Sequence, residues 1–162
     1  MAVELNTAGR EFARKFTNIL PELQLQQSIH KRIEDQLDDW SAEHPNLRAS
    51  YFGREVDPSY FHGLDSAPEA ASRPNLQGLA IEGENLYEFV AFAHGLRKDV
   101  VELGSIVHLH ETWIETRPEE PFLYRVELLH AFGAATILVA SKGEAQDLAQ
   151  EFVSRFKYLR GW

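Results

Sequence analysis

The chain has 162 residues, 44% of them apolar, which suffices for one domain with a single sizeable core. Its 25 acidic and 16 basic side chains give a net charge of −9, and the cations are scattered among acids, which argues against nucleic acid as a partner. The absence of cysteine excludes disulfides, thiolate nucleophiles and cysteine-based zinc sites.

The segment MAVELNTAGREF has no basic start followed by an apolar run, and no stretch approaches the roughly eighteen apolar residues of a membrane span. The expected location is the cytoplasm, with no membrane partner. Leu5, Ala8, Phe12, Phe16, Ile19 and Leu20 recur at helical spacing, with Asn6 or Thr7 as the cap. Pro21 ends that helix and suits the first turn of a second, over 21–43. In this second helix Leu25, Ile29, Ile33, Leu37 and Trp40 form a narrow apolar seam, while Glu34, Asp35, Asp38 and Asp39 lie on the solvated side.

From His44 to Asn75 the helical period is lost, and Pro45, Pro58, Pro68 and Pro74 punctuate a loop-rich connection. Leu47 to Val56 reads as a short strand, and residues 66–75, SAPEAASRPN, as the flexible stretch. Two aromatic pairs, Tyr51 with Phe52 and Tyr60 with Phe61, either pin this connection to the core or form a binding surface. Leu76 to Ile81 is a further short strand. Asn85 and Glu88 resemble a capping box, and Leu86, Phe89, Val90, Ala93, Leu96, Val100 and Leu103 keep helical time up to Gly104, so a helix is expected there. Strands follow over Ser105 to Thr116, after the turn RPEEP, and over Ala134 to Ser141. Glu144 opens a last helix whose apolar face is Ala145, Leu148, Ala149, Phe152, Phe156 and Leu159.

This order predicts an α+β fold, with an antiparallel sheet of three to five strands and helices packed on one face; the alternative is an all-α bundle. Residues 1–162 form a single domain: a helical N-terminal segment over 1–43, a connection over 44–76, and a helix, three-strand meander and C-terminal helix over 77–162.

The stretch 105–141 holds the only suggestive constellation. If the first turn is residues 117–121, His108 faces His130, and His110 projects on the same side. Three imidazoles from two adjacent strands can hold zinc and leave a fourth position for water, whose lowered pKa suits attack on a carbonyl or phosphoryl centre. This spacing resembles the zinc ligands of α-type carbonic anhydrases and of cupins. The resemblance covers three residues, and chain length and surrounding pattern match neither. It implies a metal-dependent hydrolase or lyase with Zn on His108, His110 and His130. The same register sets Glu111 against Glu127 and Trp113 against Arg125, so Glu111, Glu127 and Arg125 are the candidate catalytic groups. In the all-α alternative, Arg125 and His130 resemble the Arg-x4-6-His spacing of HEPN-type ribonucleases, although Val126 stands where that motif carries a polar residue.

No P-loop, dinucleotide fingerprint, nucleophile elbow or HExxH occurs. The leading expectation is therefore a small acidic protein that binds another macromolecule, as an inhibitor, immunity, antitoxin-like or adaptor protein. Its basic partner would meet Glu34, Asp35, Asp38 and Asp39, or Glu115, Glu119 and Glu120, with Tyr51, Phe52, Tyr60 and Phe61 as the aromatic surface. A homo-oligomer is compatible with the same features.

Overall fold

A computed structural model describes residues 8–55, 75–114, 123–141 and 143–162. Helix α1 (Ala8–Ile19) buries Phe12, Ala13 and Phe16, the stripe that its spacing set. Pro21 cannot donate to a helical ladder, and the chain leaves α1 through a 3-10 turn, Leu20–Leu23. Gln24 then takes a left-handed conformation with φ of 51°, so α2 begins at Gln27 and runs Gln27–Glu43 rather than starting at Pro21.

Seven strands follow among the described residues: β1 (Ala49–Glu55), β2 (Asn75–Glu82), β3 (Asn85–Phe92), β4 (Gly95–Glu102), β5 (Ile106–Ile114), β6 (Leu123–His130) and β7 (Ala135–Ser141). The chain ends in α3 (Glu144–Arg160). The fold is α+β. Its strands form two antiparallel sheets, one ordered β1-β2-β3-β4 and one ordered β5-β6-β7. The all-α alternative is thereby removed. None of the helices is long and apolar enough to cross a membrane, among the described residues.

The helix expected over Leu86–Leu103 is instead the β3-β4 hairpin, with Asn85 opposite Glu82 and Phe92 opposite Gly95. The reason is burial on two sides. Leu86 faces one core, with Val90 on the same side of the strand, while Phe89 and Ala91 face the other, so β3 shows no two-residue alternation and its apolar positions mimic a helical period. Gly83, with φ of +57°, opens the tight link from β2. Gly104 lies in a 3-10 turn, Leu103–Ser105, that carries the chain from the first sheet to the second.

The four-stranded sheet is covered on both faces. Phe12, Phe16, Leu20, Ile33, Leu37 and Trp40 of the helical hairpin pack on Leu76, Ala80, Phe89 and Ala91. Gly78 permits this approach, since a Cβ there would stand 2.9 Å from Phe12 and 3.0 Å from Phe16. On the other face Tyr51, Leu79, Ile81 and Leu86 meet Tyr124, Val126, Leu128 and Leu138 of the second sheet, and Phe152, Val153 and Phe156 of α3. Helix α3 closes in a Schellman arrangement: Gly161 N–H donates to Tyr158 O at 3.1 Å and Trp162 N–H to Lys157 O at 2.8 Å. Trp162 docks edge-on against Phe156, with the Arg160 guanidinium 5.1 Å from its ring.

Candidate functional site

The three-strand meander forms in the expected order but one residue out of the expected register. His108 lies opposite Leu129, His110 opposite Glu127, and Ile106 opposite His130, with the ladder shifting between Ile106 and His108. Because side chains alternate, the shift separates the histidines. His108 and His110 stand exposed on the outer face, their ring centroids 6.3 Å apart. His130 follows Leu128 on the inner face, so the structure does not bring the three imidazoles together. Among the described residues no group of three or more His, Cys, Asp or Glu side chains is arranged to hold a metal ion.

The candidate carboxylate pair is likewise divided. Glu111 lies opposite Val126 and not Glu127, and Trp113 opposite Tyr124 and not Arg125. Glu111 accepts hydrogen bonds from the Tyr124 hydroxyl at 2.8 Å and from Lys157 of α3. The Lys157 bond, chiefly, holds the Glu111 carboxyl below its ordinary pKa. Glu127 is paired with Arg125 on the outer face. Arg125 and His130 have opposite parity on β6 and point to opposite faces, so the single helical face that the ribonuclease motif needs is not formed.

The inner face holds a polar group that sequence reasoning missed. Gln77 of β2, 1% exposed, donates through Nε2 to Glu88 Oε2 at 2.7 Å and to the Ile137 carbonyl at 2.8 Å, pinning the first sheet to β7. His130 Nε2 and Thr136 Oγ1 are 2.9 Å apart, while His130 Nδ1 and Gln77 Oε1 are buried with no partner. Burial lowers the His130 pKa, and the Glu88 charge opposes that shift. The one available signal was a glutamine inside NLQGLAIE, a strand otherwise buried along nearly its whole length.

The acidic residues of α2 lie mainly on its solvent side. Ile33 and Leu37 are fully buried and Trp40 nearly so, which fixes the orientation of α2. Asp35, Asp38 and Asp39 are exposed and Glu34 is half-buried. Lys31 binds Asp35 at 3.1 Å, and His30 Nε2 lies 3.5 Å from Glu34. The Asp35 hydrogen bond, with the charges of Asp35, Glu34 and Asp38, raises the Lys31 pKa. Among the described residues neither Asp38 nor Asp39 has an ion-pair partner. No family model, curated protein or solved structure matches the chain. The assignment of roles therefore rests on this geometry.

The aromatic surface is corrected at two of its four residues. Tyr51 is 1% exposed and Phe52 packs against the helical core, so these two side chains pin β1 and offer little to a partner. Tyr60, Phe61, Glu115, Glu119 and Glu120, together with the turn 117–121 and nearly all of the stretch 66–75, lie outside the described residues. His94 sits in the tight link between β3 and β4, not on a helix.

Proposed function

We propose that this chain works by binding a basic protein partner, in an inhibitor, immunity, antitoxin-like or adaptor role, and that the acidic side of α2 is the face that steers and meets it. The observation that supports this reading is the contrast across one helix. Ile33 and Leu37 of its apolar seam are fully buried inside the fold, while Asp35, Asp38 and Asp39 are exposed; Lys31 pairs with Asp35, and Asp38 and Asp39 have no ion-pair partner among the described residues. A net charge of −9 extends the same field over the molecule. Carboxylates carried on a packed helix need no backbone ordering on binding, and their charge accelerates encounter with an oppositely charged surface.

The test uses affinity capture with the whole chain and with a triple variant, Asp35→Asn, Asp38→Asn and Asp39→Asn, followed by association kinetics on the purified partner. The expected result is capture by the first protein only, with an association rate that falls about tenfold or more between low and high salt. An association rate indifferent to salt, or equal for the triple variant, would refute the assignment.

A further inference from the structure

The register that parts His130 from the other two histidines leaves His108 and His110 as an exposed pair at the border of the second sheet. Among the described residues β5 is hydrogen-bonded to β6 on one side and to no strand on the other. His108 and His110 stand two apart on this edge strand, their ring centroids 6.3 Å apart, and among the described residues neither ring has a hydrogen-bond or ion-pair partner. Val107 and Trp113, 56% and 50% exposed, add apolar surface near the two ends of the same strand. The neighbouring acids are engaged already: Glu127, opposite His110, pairs with Arg125, and Glu111 pairs with Lys157.

Two imidazoles on one strand face are half of a tetrahedral zinc site. With bonds of about 2.0–2.1 Å, a shared ion needs the ring centroids about 5 Å apart, which exposed rings without partners reach by a small rotation. The other half is not within the chain, since among the described residues no group of three or more His, Cys, Asp or Glu side chains is arranged to hold an ion. An edge strand, however, offers its unpaired N–H and C=O groups to a strand of another molecule. If β5 of a second copy lies antiparallel beside it with Leu109 opposite its counterpart, His108 of each copy faces His110 of the other, and the four imidazoles share one face. The same pairing brings the Val107 end of one strand to the Trp113 end of the other. We propose that His108 and His110 of two copies of this chain bind one zinc ion between them, and that this ion joins the copies through β5. Imidazole nitrogen suits zinc and not magnesium or calcium, which take oxygen ligands. Each copy carries a net charge of −9, so metal-free copies repel, and the cation at the contact makes the pairing depend on zinc. Four protein ligands leave no position for a reactive water, so the site is a structural one.

The site is independent of the acidic side of α2 and is tested separately. The full chain is followed by sedimentation velocity at neutral pH with a chelator, with magnesium and with increasing zinc. A monomer is expected with the chelator and with magnesium, and a dimer with zinc, complete at one ion per two chains. His108→Ala and His110→Ala, both at exposed positions, should each keep the native circular dichroism and stay monomeric in zinc. Glu127→Gln should dimerise as the parent does, because that carboxylate belongs to Arg125. Zinc should also slow amide hydrogen exchange over 108–112, with no matching change in β4, which is likewise an edge strand. The proposal is overturned if zinc binds one per chain without dimerisation, if either histidine variant still dimerises, if Glu127→Gln abolishes zinc uptake, if the dimer persists with the chelator, or if the protected amides lie in another strand.

Discussion

Glu111 offers the sharpest test of how α3 is held to the second sheet. Its carboxylate receives the Tyr124 hydroxyl and the Lys157 ammonium, and the Tyr124 ring stacks beside Trp113 with centroids 4.7 Å apart. Tyr124 is 1% exposed, so replacing Glu111 by alanine strands a buried hydroxyl, at a cost of about 1–3 kcal/mol. The Lys157 pair has side chains 41% and 32% exposed, and solvent screening limits it to about 0.5–1 kcal/mol. Glu111→Ala should thus lose about 2–3 kcal/mol. Glu111→Gln keeps an acceptor for Tyr124 and should lose about 1 kcal/mol. The folded-state pKa of Glu111 lies below its ordinary 4.5, so its contribution is complete above pH 4.5 and disappears as pH falls through the lower folded value. Urea unfolding of both proteins from pH 7 to pH 3 reads this directly: the gap between wild type and Glu111→Gln should close on the acid side. A gap constant with pH, or a Glu111→Ala loss under about 0.5 kcal/mol, would refute the coupling of these three groups.

Two further outcomes follow from close packing and from the inter-sheet polar group. Gly9→Ala places a Cβ 2.1 Å from the His44 carbonyl oxygen, a backbone atom that cannot swing away, and should cost about 2 kcal/mol or more in urea unfolding, whereas Gly104→Ala, which meets nothing within 4 Å, should cost little. His130 has its pKa lowered from the ordinary 6.5, so the stability it lends is present above pH 6.5 and is lost as pH falls through the folded value; its ring should titrate below 6.5 by NMR, and His130→Gln should flatten the stability profile over that interval. Added zinc supplies a control on the register: any ion held by His108 and His110 should be retained equally by a His130→Ala variant, because His130 lies on the other face of the sheet.

The features legible in sequence were those governed by one element's own period. The α1 stripe, the α2 seam with its acidic opposite side, and the α3 face through Phe152 and Phe156 all follow a helical repeat, and each is buried or exposed as that repeat requires. Strands β1, β2, β5, β6 and β7 were readable because turn residues bound them. β3 was not, since a central strand buried on both faces loses the alternation that identifies a strand, and β4 was not, since it is a largely exposed edge strand whose GLRKDVVE sequence has no alternation to read. The polar group of Gln77, Glu88, His130 and Thr136 was illegible for another reason. Gln77 and Glu88 come from paired strands β2 and β3, His130 and Thr136 from paired strands β6 and β7, and only the packing of the two sheets brings the two pairs near one another.

The fate of the histidines turns on one extra residue in β5. Ile106 is fully buried and Leu109 packs against the same core, yet residues three apart on a regular strand point to opposite faces. Both can turn inward only if the ladder slips between them, and it does so between Ile106 and His108. Burying Ile106 fully is worth about 1.5–3 kcal/mol, more than a local break in pairing costs at an exposed edge strand. The slip sends His108 and His110 outward with Thr112, and leaves the inward positions to Leu109, Glu111 and Trp113. The separation of His108 and His110 from His130 therefore follows from an apolar requirement two residues upstream. The inward Glu111 is the beneficiary, since only in this register can it reach both Tyr124 and Lys157.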